Sequence, residues 1–173
     1  MSSRVDMAPT DPPRVELFVR SLSPDATRSP ATEQLQRLRR LDEQGVVDLT
    51  VSVWGREIGL STTATRTDTG QYVLDRVAAF RDWADREGVS VEAFFETREV
   101  QSSFTGESYT ALVLPTCCLA EYREEKLLHV APYTTGDAVH SVADRLSRLE
   151  DRPPWAREGR RLGDAGTSTA VEH

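Results

Sequence analysis

Residues 109–150 contain YTALVLPTCCLAEY, the charged turn REEK, LLHVAPY and, at the end, TGDAVHSVADRLSRLE. The first run, 109–122, has the apolar and β-branched content of a long strand, interrupted by Pro115. A proline cannot donate to a ladder, so Pro115 marks a bulge, an edge or a strand start. Residues 123–126 form a hairpin turn, and 127–132 is the returning strand. Residues 137–150 then carry Val139, Val142, Leu146 and Leu149 at helical spacing, which predicts a helix with those side chains inward. Pro153 and Pro154 stop it.

Working upstream, RVELFVRSL at 14–22 alternates Val15, Leu17 and Val19 and predicts a first strand. Pro30 suits the first position of a helix over 31–44, with Leu35, Leu38 and Leu41 along one side and Gly45 as its stop. VVDLTVSVW at 46–54 places Val47, Leu49, Val51 and Val53 on one strand face and Asp48, Thr50 and Ser52 on the other. A second helix runs over 69–87, with Val73, Leu74, Val77, Phe80 and Ala84 as its stripe, Trp83 near its edge and Gly88 at its end. Residues 89–101 read as a further strand, followed by the turn SFTGES, where Gly106 permits positive φ. The order is β-α-β-α-β-β-β-α. It predicts one α/β domain over 14–150, with a mixed sheet and three helices. Residues 1–13 read as a flexible arm, and 151–173, poor in apolar residues, as a disordered tail.

The chain has 173 residues, enough for one real core. It carries 28 acidic and 21 basic residues, a net charge of −7, and Lys126 is the only lysine. That balance argues against strong non-specific nucleic-acid binding without excluding a local arginine patch. No apolar run approaches the ~20 residues of a membrane span, and the N-terminus lacks the apolar centre of a signal peptide. Both point to the cytoplasm and away from a membrane partner. The two cysteines, Cys117 and Cys118, are adjacent. On a strand they face opposite ways, which fits neither a disulfide nor one shared metal. With no CxxC and scattered histidines, no metal site and no cofactor are expected.

Candidate contacts fall in three places. The loop WGREIGLSTTATRTDTG offers Trp54, Arg56 and Arg66 among many hydroxyls, groups suited to an anion, though without the spacing of a phosphate-binding glycine loop. Arg37, Arg39 and Arg40 give the first helix a basic stripe, which either reads phosphates and guanine edges or pairs with Glu33, Asp42 and Glu43 as a solvated face. Cys117 or Cys118 would serve as a nucleophile only beside a cation or base, and His129 is the candidate across the hairpin. A buried, inert thiol pair is the plainer reading. Glu92, Glu96, Glu99 and Glu107 read as the wet face of strands rather than as acid/base groups.

Pro115-Thr116, followed by a hairpin and a last helix, resembles a thioredoxin-like scaffold. In that family a proline, usually cis and often followed by threonine, holds this place. The resemblance covers most of 14–150. It puts the redox site in SLSPDATRSPA, where no cysteine stands, so it implies the scaffold without the redox chemistry. Over the same span RVELFVRSL, VWGREIGLSTTATRT, VLDRVAAFRDWADREGVS, FFETREV and SSFTGESYTALVLPTCCLAEY resemble a small haloarchaeal family known as helix-turn-helix domain proteins. The arginine bias and acidic charge fit that likeness, which implies transcription regulation.

These readings order the function classes. The first is a non-catalytic cytoplasmic binding or regulatory protein. It meets a protein or small molecule through Trp54, Arg56 and Arg66 together with Pro115, Thr116, Cys117 and Cys118. The second is a DNA-binding regulator using Arg37, Arg39 and Arg40. The third is a thiol enzyme or redox sensor.

Overall fold

The computed structural model describes residues 12–22, 29–60, 67–101 and 103–151. Arm and tail, as read from the sequence, lie almost wholly outside that range. Nine strands and three helices are found among the described residues. We number them in chain order: β1 Arg14–Val19, α1 Pro30–Glu43, β2 Asp48–Val53, β3 Glu57–Gly59, α2 Asp68–Glu87, β4 Thr97–Gln101, β5 Ser108–Val113, β6 Cys117–Arg123, β7 Lys126–Ala131, β8 Tyr133–Thr135, β9 Ala138–His140 and α3 Val142–Glu150. The fold is mixed α/β.

The main sheet has the order β2-β1-β6-β7, with β1 parallel to β2 and antiparallel to β6. Central β1 is buried on both faces. Val15, Leu17 and Val19 pack with Leu35, Leu38 and Leu41 of α1 and Val142, Leu146 and Leu149 of α3. Phe18 points the other way, into a core with Val73, Val77, Phe80 and Trp83 of α2. One strand therefore anchors two cores, which is what period-two alternation permits when helices cover both faces.

Local chemistry starts and stops the helices. The Ser29 hydroxyl accepts from Thr32 N at 3.1 Å, with Pro30 following it. The Thr67 hydroxyl caps Gly70 N at 2.9 Å, and α2 ends at Gly88 with φ 72°, a left-handed stop that glycine adopts without steric cost. Ser141 and Asp144 form a reciprocal capping box on α3.

Several sequence expectations are corrected. The run 109–122 is two strands in two sheets, because Pro115 separates β5, which belongs to the antiparallel sheet β3-β5-β4, from β6 of the main sheet. Of the bulge, edge or strand start expected at Pro115, the structure has the strand boundary; the register shift lies between Glu121 and Tyr122, and the cis peptide among the described residues is Ala131–Pro132 rather than Leu114–Pro115. Residues 89–96 form an isolated bridge at Ser90 and a 3-10 turn over Glu92–Phe94, so the strand there shortens to β4. The last helix begins at Val142, since the hairpin β8–β9 occupies residues 133–140. Val139 therefore sits in β9, 59% exposed, and Val53 on the edge strand β2 is 49% exposed. Among the described residues no helix is long and apolar enough to cross a membrane.

Candidate functional site

The crossing from the small sheet to the main one is tied to the ends of β1 and β2. Arg20 donates from Nε and Nη2 to the Leu114 carbonyl at 2.9 and 2.6 Å. Leu114 N donates to the Arg56 carbonyl at 2.9 Å, and Arg20 N to the Thr116 carbonyl at 3.2 Å. The Trp54 indole N–H reaches the Pro115 carbonyl at 3.2 Å. Trp54, Arg56, Pro115 and Thr116 thus meet at one end of the sheet. Trp54 is an anchor rather than an open platform: it is buried, stacked on Phe18 at 4.7 Å and set edge-on to Phe95 at 5.8 Å. Arg56 and Thr116 remain exposed and Pro115 half-buried. Arg66 lies outside the described residues.

The cysteines follow the alternation rule. Cys118 is fully buried in the aromatic core, while half-buried Cys117 packs against the aliphatic one. Burial pushes the Cys117 thiol up to about 12 and Cys118 well above its ordinary value, the reverse of what a nucleophile needs. His129 pairs in register with Glu121, and its ring packs against Trp83 and Tyr133. In the register His129 stands opposite Glu121, three residues along β6 from Cys118 and four from Cys117. Among the described residues no group of three or more His, Cys, Asp or Glu is placed to hold a metal ion.

The arginines of α1 divide. Arg37 leaves the helix surface to make a bidentate pair with Glu150 of α3, Nε–Oε2 2.9 Å and Nη2–Oε1 2.6 Å. Each partner shifts the other: the Arg37 guanidinium is raised and the Glu150 carboxyl lowered, each chiefly by this hydrogen bond. The neighbours Glu33, Asp42 and Glu43 are not its partners in this pair. Arg39 and Arg40 stay solvent-exposed. The expected acids on wet strand faces are tied locally in two cases, Glu92 to Arg81 at 3.1 Å and Glu99 to Thr110 Oγ1 at 2.8 Å.

Sequence reading missed the buried acids. Glu16 in β1 is 6% exposed, and Glu121 in β6 is 2% exposed. Glu16 accepts from Ser52 Oγ at 2.8 Å and from the Tyr72 hydroxyl, with Arg76 Nε 3.3 Å from its second oxygen. Arg76 lies over the rings of Tyr72 and Tyr122, and Arg14 over Tyr122 at 4.7 Å. Burial pushes the Tyr122 hydroxyl up to about 12. Glu121 is held by Arg145 of α3, whose Nη2 reaches Oε1 at 2.8 Å while its Nε contacts Oε2. The available signal was a carboxylate flanked by apolar residues in central strands, in VELF and LAEY, where burial on both faces demands a partner.

A family model described as "Helix-turn-helix domain" matches residues 7–154, and the chain belongs to that family. No curated protein and no solved structure matches the chain. Among the described residues no two helices are joined by a turn alone: β2 and β3 lie between α1 and α2, and β4 to β9 between α2 and α3.

Proposed function

We propose that this protein is a cytoplasmic DNA-binding regulator of transcription that meets the duplex through the outer face of α1. The observation that carries this reading is membership of the helix-turn-helix domain family over residues 7–154. Exposed Arg39 and Arg40 support it, because guanidinium forks pair with phosphate oxygens and guanine edges. Arg37 has another part here. Bound to Glu150, it seats α1 on α3 and leaves DNA contact to its neighbours. The mode is a single surface helix rather than a helix pair. Retention of fragmented source DNA by the full chain at low salt is the test. Replacing Arg39 and Arg40 together by Gln should weaken retention by on the order of tenfold. Unchanged retention by the double variant would overturn the reading.

A second reading rests on the hydrogen-bonded junction of Trp54 and Arg56 with Leu114, Pro115 and Thr116. Exposed Arg56 and Thr116 would there meet a protein or small-molecule partner, with Arg66 as a further contact and Cys117 and Cys118 as its buried backing. Arg56→Ala should then weaken partner binding without lowering the melting temperature, and equal losses in both would count against it. We also read the scaffold as thioredoxin-like without redox chemistry. The supports are Pro115-Thr116 before the β6–β7 hairpin, with α3 after it, and the high thiol pKa values. Thiol enzymology has the least support for the same reason.

A further inference from the structure

A cleft beside the β7 edge has no part in either reading. It is lined by His129 of β7, by Tyr133 and His140 of the β8–β9 hairpin, by Ser141, the N-cap of α3, and by Asp144, Arg145 and Arg148 along that helix. Its volume is about 80 Å³, several times the roughly 10–15 Å³ that one water requires.

We propose that this cleft binds a small oxyanion, a phosphate or carboxylate group. The walls are preorganised. The Tyr133 ring is stacked on His140 at 4.5 Å and meets His129 edge-on at 5.5 Å. His140 Nε2 lies 2.9 Å from Thr135 Oγ1, which fixes that ring. Arg145 is clamped through Nε and Nη2 by buried Glu121, so its guanidinium stands in the wall without the entropy cost of ordering a free arginine. Arg148 is exposed one helical turn along and supplies a whole guanidinium fork.

Two acids stand near the donors, and one of them, Asp144, lines the cleft with its charge felt by Arg148 and His140. Glu121 is spent on Arg145 behind the wall, and the Asp144 carboxylate accepts the Ser141 backbone N–H at 2.9 Å within the capping box. His129 is held down chiefly by burial and then by the charge of Arg145, which Glu121 opposes and Arg148 reinforces. In a chain of net charge −7 such a donor-rich cleft selects an anion with directional acceptors rather than a bulk counterion.

The test follows the His129 and His140 ring protons by NMR while the full chain is titrated with inorganic phosphate, and separately with acetate, at pH 7 and constant ionic strength. The expected result is a saturating shift with at least one of the two anions. Saturation by phosphate alone assigns a phosphoryl ligand, by acetate alone a carboxylate, and by both the shared oxyanion chemistry. Arg148→Gln, at an exposed position, should weaken the saturating anion by on the order of tenfold. Arg98→Gln, on the exposed strand β4 and outside the cleft, should leave it unchanged. Shifts that never saturate with either anion, or an Arg148→Gln protein that titrates like the wild type, would overturn the proposal.

Discussion

The face of the main sheet that meets α1 and α3 is aliphatic, built from Val15, Leu17, Val19, Leu38, Leu119 and Leu146. The opposite face, under α2, holds Phe18, Trp54, Phe80 and Phe95 in mutual ring contact and Trp83 against Tyr133, with the Glu16 network among them. The same strand, β1, feeds both. Aliphatic packing is tolerant of shape and tied at its margin by ion pairs between elements. Aromatic packing fixes ring orientations, and a buried carboxylate there must keep its partners. The tolerant face bears the arginine helix, while the aromatic one holds the junction at Trp54.

Core truncation probes the contrast most strongly. Phe80→Ala removes a fully buried ring with two aromatic neighbours and should cost about 4 kcal/mol, against about 3 kcal/mol for Leu146→Ala on the aliphatic side. Urea denaturation gives both values. A larger cost for Leu146→Ala would reverse the ranking of the two faces.

The ion pairs come next. Arg145→Ala leaves Glu121 charged and buried without its partner and should cost about 3 kcal/mol. Arg37→Ala breaks a pair whose side chains are 20% and 36% exposed, and should cost about 1 kcal/mol or less, shrinking further in salt. Chemical denaturation at low and high salt separates the two. Similar costs would mean that burial does not distinguish them.

The smallest effect is a pH response at the β7 edge. His129 is held down to about 4 by burial, then by Arg145, against an ordinary 6.5. The unfolded chain therefore takes up this proton first, as the pH falls below 6.5. Stability is complete above that value and is lost down to about 4, below which both states are protonated. His129→Phe should flatten that part of the stability curve. Parallel curves would show that His129 does not titrate differently on folding.

Period and caps made much of the fold legible. Leu35, Leu38 and Leu41 at helical spacing gave α1, and Gly88 gave the end of α2, because these signals are local. The strand between residues 109 and 122 was misread because a run of apolar residues looks the same whether it stays in one sheet or crosses to another. Only the tertiary hydrogen bonds of Arg20 and Trp54 around Pro115 reveal the crossing. The α1 stripe was legible as composition, but the diversion of Arg37 to Glu150, 113 residues away, is not written in any local pattern. The β7 cleft escaped for the same reason, since its walls come from β7, the β8–β9 hairpin and α3.

The central claim is that α1 meets DNA through Arg39 and Arg40 while Arg37 serves the fold. The most direct measurement is DNA affinity of the purified chain against KCl concentration, for the wild type, the Arg39→Gln/Arg40→Gln protein and Arg37→Gln. The account predicts a linear fall of log K with log salt, a slope smaller by about 2 in the double variant through loss of two phosphate contacts, and an unchanged slope in Arg37→Gln. No binding at the lowest salt, or equal slopes for the wild type and the double variant, would contradict it.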